Sequence, residues 1–140
     1  MKKAIDYLKE IRRLDVSINE DIEELERLNA LATKTTTVLG DERVQSSGSQ
    51  SRMEDWAIKI ACMKDDINKD IDRLLDMKKE IHELIRKSCD AECMTILFKR
   101  YFEYKKWEQI AVEMGFTYQY VSGKLHRRAL KQFEKNLKKD

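Results

Sequence analysis

An all-α protein, a long antiparallel helical hairpin followed by a three-helix helix-turn-helix domain, is the fold this sequence predicts. Three observations predict it. The 140 residues contain no proline and only four glycines, and 39% are charged, a composition rich in strong helix formers. Two long stretches repeat apolar residues at threes and fours, and the last third reads as two helices joined by a tight glycine turn.

The first stretch covers residues 1 to about 31. Ile5, Leu8, Ile11, Leu14, Ile18, Ile22, Leu25 and Leu28 form a narrow apolar seam between charged positions, as an amphipathic helix of roughly 45 Å requires. Composition then changes: Thr33-Lys-Thr-Thr-Thr and Gln45-Ser-Ser-Gly-Ser-Gln-Ser51 offer little to bury, so residues 32–52 are expected to be a flexible connector. A second long helix is expected from Ser51, because Ser51-Arg-Met-Glu54 has capping-box spacing. Its seam runs through Trp56, Ile60, Met63, Ile67, Ile71, Leu74, Met77, Ile81 and Leu84. Two seams of similar length joined by a loose linker pack most simply as an antiparallel coiled-coil hairpin over residues 1–87. A homodimer through these N-terminal helices is the competing arrangement.

The seam breaks at Lys87-Ser-Cys-Asp90, where Ser88 or Asp90 can cap a third helix. Cys93, Met94, Leu97, Phe98, Tyr101 and Phe102 give it an apolar and aromatic face, whose expected partners are Trp107, Ile110, Met114, Phe116, Val121 and Leu125. Residues 88–140 thereby make a core near the lower size limit for independent folding, one that support from the long helices would stabilise.

Within that domain each position from Trp107 to Leu130 answers a geometric need. Ile110, Ala111 and Met114 put an apolar stripe on a short helix, and Ala111 lets the next helix cross close by. Gly115 falls where a helix end wants a left-handed residue, and Thr117 supplies a cap for a helix starting near Tyr118. Val121, Leu125 and Ala129 point this helix inward. In a helix-turn-helix the start of the second helix reaches base edges and later cations meet phosphates. The candidate DNA-binding residues are therefore Thr117, Tyr118, Gln119, Tyr120, Ser122, Lys124, Arg127, Arg128 and Lys131, with Tyr118, Gln119, Ser122 and Lys124 toward bases and Arg127, Arg128 and Lys131 toward phosphates.

Charge distribution agrees with this placement. From Ser88 onward there are 11 Lys+Arg against 7 Asp+Glu, and from Tyr118 onward 7 basic residues against Glu134 and Asp140. The positive field lies where phosphates would need it. No apolar run approaches the roughly 18 residues of a membrane span, and no signal core follows Met-Lys-Lys-Ala-Ile-Asp. Cys62, Cys89 and Cys93 are odd in number, which favours a reducing compartment, and the expected location is the cytoplasm. No phosphate loop, nucleophile elbow or His-Glu-x-x-His array is present, so no catalysis, cofactor or metal is expected. Asp65, Asp66, Asp70 and Asp72 alternate with Lys64, Lys69 and Arg73, the pattern of a solvated helix flank. Trp107 reads as a core anchor, and His126 as phosphate-facing or partly buried and neutral.

The segments Leu97-Phe-Lys-Arg-Tyr-Phe-Glu, Trp107-Glu-Gln-Ile-Ala-Val-Glu-Met-Gly and Val121-Ser-Gly-Lys-Leu-His resemble region four of bacterial sigma factors. The whole chain, with Leu28-Asn-Ala-Leu-Ala-Thr, Val44-Gln-Ser-Ser-Gly-Ser and Trp107-Glu-Gln-Ile-Ala, resembles small phage and prophage proteins of Gram-positive hosts, some of them sigma-like regulators of late transcription. The resemblance implies a sequence-specific transcriptional regulator that binds double-stranded DNA, with host RNA polymerase as a further partner. The Ala129-Leu130 pair falls one residue later than in the usual sigma pattern, so the far end of the reading helix is expected to face differently. Residues 1 to 87 lack a counterpart of the other promoter-binding region, which argues for an accessory regulator over an independent sigma factor. The competing functions are a small terminase-like packaging protein and an interaction protein that docks on polymerase or a sigma factor without reading sequence.

Overall fold

Helical periodicity without proline lets a helix run until something stops it, and the two long helices run further than their apolar seams. The computed structural model describes the backbone of residues 3–41 and 47–139 and the side chains of residues 3–34 and 51–137. The described residues are helical with short connections and no strand: α1 spans Ala4–Asp41, α2 Ser47–Ser88, α3 Ala91–Leu97, α4 Trp107–Met114 and α5 His126–Lys139. Two π-helical segments, Phe98–Phe102 and Tyr120–Leu125, continue α3 and lead into α5.

The expected connector over 32–52 is corrected by these limits. Both of its flanks are helical, to Asp41 on one side and from Ser47 on the other, and residues 42–46 lie outside the described residues. Ser51 consequently sits inside α2 and caps nothing. Extending an existing helix gains one hydrogen bond per residue fixed, while threonine or serine costs only a fraction of a kcal/mol relative to alanine. Thr33 also satisfies its own hydroxyl by donating to the Asn29 carbonyl at 2.9 Å. Absence of residues to bury is not absence of helix.

The chain forms two units. Residues Asp15–Arg73 make up one, in which Ile18 and Ile67 are buried. Leu28 and Leu31 of α1 line a cavity of about 160 Å³ together with Trp56, Lys59 and Ile60 of α2. Late α1 therefore lies beside early α2, the antiparallel arrangement of a hairpin. Exposed i,i+4 pairing between Lys69 and Asp65 at 3.1 Å occupies its flank.

The other unit joins Met1–Leu14 and Leu74–Asp140. Its core takes Ala4, Leu8 and Ile11 from α1, Leu74, Ile81 and Ile85 from α2, and Cys93, Ile96, Leu97, Tyr101, Ile110, Ala111, Val121, Leu125, Ala129 and Phe133 from the C-terminal helices. The C-terminal helices thus share a compact unit with the first turns of α1 and the last turns of α2. Sequence charge divides between the units: residues 1–14 with 74–140 hold 20 Lys+Arg against 12 Asp+Glu, and residues 15–73 hold 8 against 14.

Within the second unit, polar side chains fasten α5 to the start of α3. Asp90 is the N-cap of α3, accepting from the Cys93 amide at 3.0 Å, as one of the two expected caps. Its own amide donates to Gln132 Oε1 at 3.1 Å, and Gln132 Nε2 donates back to Asp90 Oδ2 at 3.0 Å. These bonds hold the Asp90 carboxyl below the usual carboxylate range, the Cys93 amide first and Gln132 second. Asn136 adds a bond to the Leu84 carbonyl of α2 at 3.5 Å.

Candidate nucleic-acid interface

The turn before the candidate helix is built as its residues require. Gly115 adopts φ +73°, and the Phe116 amide reaches back to the Ala111 carbonyl at 3.0 Å, closing α4 with a left-handed residue. Two residues on, Thr117 Oγ1 accepts from the Tyr120 amide at 3.2 Å and its carbonyl from the Val121 amide at 3.1 Å. The next helix accordingly begins at Tyr118.

That helix does not proceed as a regular α-helix. It passes through the π-helical segment Tyr120–Leu125 before becoming α5. A π-turn inserts one residue into an α-helix. Buried Val121, Leu125, Ala129 and Phe133 follow each other at intervals of four, and in a pure α-helix each such step would drift by about 40°. The wider π-turn helps keep the four on the inner side.

On the outer side the helix presents a shallow concavity of about 450 Å³ lined by Tyr120, Lys124, Arg127, Arg128 and Lys131. Among the described residues, Lys124, Arg127 and Lys131 are exposed and have no ion-pair or hydrogen-bond partner. Their charges face solvent uncompensated. Arg128 is differently placed: Nη2 meets Glu92 Oε2 at 3.1 Å and Asp90 Oδ2 at 3.9 Å, and Nε donates to Cys93 Sγ at 3.4 Å. It lines the concavity while bracing α5 against α3.

The remaining candidates lie outside the concavity lining. Tyr118 and Gln119 are exposed at the start of the helix, beside exposed Thr117, whose hydroxyl is engaged as the cap. Ser122 is half-buried and its hydroxyl donates to the Tyr118 carbonyl at 2.8 Å, which turns it onto its own helix. Five of the nine candidates are therefore brought together around one depression.

Behind this face the helix is locked by an aromatic stack. Tyr101 Oη lies 2.7 Å from His126 Nε2. The His126 ring meets Trp107 edge-on at 4.7 Å, and the Arg100 guanidinium covers Trp107 at 4.5 Å. Desolvation, with the positive charges of Arg100 and Lys9, pushes His126 down to about 4, so the imidazole that shares a hydrogen bond with the Tyr101 hydroxyl is neutral. Burial raises Tyr101 to about 12. Burial likewise raises the Cys89 and Cys93 thiols, leaving them protonated. Elsewhere in this unit, Phe98 stacks on His82 at 4.4 Å, a partnership that no local pattern in the sequence signals.

Phe116 departs from its expected place in the core. It is 36% exposed, its ring edge-on to Tyr120 at 5.1 Å. The residue directly follows the left-handed Gly115, where the chain turns outward. Val112 on the outer side of α4 is 83% exposed and Tyr118 45%, so three large apolar side chains bracket the turn.

No family model, curated protein or solved structure matches the chain. Among the described residues no helix is long and apolar enough to cross a membrane, and no group of three or more His, Cys, Asp or Glu side chains is placed to hold a metal ion.

Proposed function

We propose that this protein is a phage or prophage transcriptional regulator that binds duplex DNA with the helix beginning at Tyr118. The observation that carries the reading is the concavity of Tyr120, Lys124, Arg127, Arg128 and Lys131 on the helix after a left-handed glycine turn. Three of its cations lack protein partners among the described residues, which is the condition for exchanging counterions with phosphates. Tyr118 and Gln119 stand exposed at the helix start, where a helix-turn-helix meets base edges. The excess of positive charge in residues 1–14 and 74–140 supports attraction to a polyanion.

The resemblance to region four of sigma factors supports a sigma-like accessory role with RNA polymerase as a second partner. Exposed Val16, Leu31 and Ile58 on residues 15–73 support pairing of two copies through the long helices, placing two readers on neighbouring half-sites.

Selection of bound sequences from a random duplex pool tests the reading. A consensus is expected. Arg127→Ala weakens binding to all duplexes and lowers the slope of log affinity against log salt by about 0.9 for each phosphate no longer neutralised. Gln119→Ala relaxes preference at one or two base pairs, by about 1–3 kcal/mol if its hydrogen bonding to the base is bidentate. Absence of a consensus, with both substitutions behaving alike, refutes sequence-specific reading by this helix.

A further inference from the structure

The three exposed apolar residues around the turn are not scattered singly. Val112, Phe116 and Tyr118 fall within seven residues and bracket Gly115, and the Phe116 ring packs edge-on against Tyr120, itself part of the lining of the basic concavity. Phe116 and the cationic depression therefore share Tyr120 as a common wall, with Val112 and Tyr118 exposed on either side of Phe116 in the chain. An apolar protein partner would satisfy the rim but leave Lys124, Arg127 and Lys131 facing uncharged surface. A simple anion would satisfy the cations and leave Val112 in water. Duplex DNA offers both requirements at once, because the thymine 5-methyl is the apolar group displayed in a major groove bordered by phosphates.

We propose that Val112, Phe116 and Tyr118 form a thymine-methyl reader, so that the protein selects duplexes with thymine where this rim meets the major groove. The inference rests on the duplex-binding reading and adds the base class recognised. It assigns a role to Val112 and Phe116, which lie outside the base-contacting positions expected from the helix start.

The test uses the full chain and the duplex enriched from a random pool, synthesised once with thymine and again with deoxyuridine at each thymine in turn. This exchange removes only the methyl group. Fluorescence anisotropy at fixed salt is expected to show about a fourfold loss of affinity at one or two positions, the worth of one methyl returned to water. Val112→Ser and Tyr118→Ser each weaken binding to the thymine duplex and bring the thymine-to-deoxyuridine ratio at one of those positions to about one. Both residues are exposed, and unchanged thermal midpoints confirm that the fold is kept. Equal binding of thymine and deoxyuridine duplexes at every position overturns the methyl reading while leaving duplex binding intact. Failure to bind any duplex overturns both. If the serine variants keep the full thymine preference and instead lose capture of RNA polymerase, the rim is a protein-docking surface and the proposal is wrong.

Discussion

Acidification should loosen the helix that begins at Tyr118 through one side chain, His126. The ring is packed between Trp107 and Tyr101, and its pKa stands at about 4 against an ordinary 6.5. The folded state holds it neutral, while the unfolded chain takes up a proton as pH falls below 6.5. Its contribution to stability is therefore complete above about pH 6.5, declines through the window between the two values, and is gone near pH 4. One pKa unit corresponds to about 1.4 kcal/mol, so the full window spans roughly 3 kcal/mol, and by about pH 5 some 2 kcal/mol has been lost. Water at the open edge of the half-buried ring trims this toward roughly 1–2 kcal/mol. Asp90 and Glu113 are both held below the usual carboxylate range, so their contributions are lost as pH falls from their ordinary values of 3.8 and 4.5, mainly below the acidic arm of the assay. Urea unfolding followed by circular dichroism at about pH 7.5 and about pH 5 measures the loss. His126→Gln, whose amide keeps a polar group to hydrogen-bond Tyr101, should be less stable at neutral pH but lose less on acidification. Equal losses in the wild-type chain and the His126→Gln variant would refute the assignment.

Three further outcomes follow from the packing. Gly115→Ala forces a Cβ into a left-handed backbone and should cost about 1–2 kcal/mol, whereas Gly123→Ala, where an added Cβ meets nothing within 4 Å, should stabilise the helix by about 0.5–1 kcal/mol. Urea midpoints shifting in the same direction would contradict this pair. Asp90→Ala removes the α3 cap and the reciprocal pair with Gln132 and should lower stability by about 1–2 kcal/mol; an unchanged thermal midpoint would mean the cap is dispensable. Leu8→Ala, at a fully buried site in α1, should cost about 2–5 kcal/mol and reduce hydrogen-exchange protection at Val121, Leu125 and Ala129. Unchanged protection there would show that α1 does not support the C-terminal helices.

The local parts of this molecule were legible because they rest on short-range chemistry. Gly115, the Thr117 cap, the Asp90 cap and the inward positions Ile110, Val121 and Leu125 are each decided by residues within a turn of themselves. What escaped is long-range or non-standard. That Leu8 and Ile11 share a unit with α5 depends on pairings more than a hundred residues apart. The engagement of Arg128 with Glu92 depends on how α3 meets α5, so composition shows a cation but not its partner. The π-turn has no residue signature of its own, although four-residue spacing of buried positions fits an irregular helix. Along the connector, low hydrophobicity was a poor sign of backbone conformation, because helix propagation needs no buried face.

The division of charge between the two units gives the protein an amphoteric behaviour that its total of +2 hides. One unit carries eight more cations than carboxylates, and the other six more carboxylates than cations. At neutral pH and low salt the same molecule should be retained by a cation exchanger and by an anion exchanger, whichever unit faces the resin. Beside a polyanion, the acidic unit is repelled while the basic unit is drawn in. Electrostatics would therefore favour collisions led by the basic unit over collisions led by the acidic one.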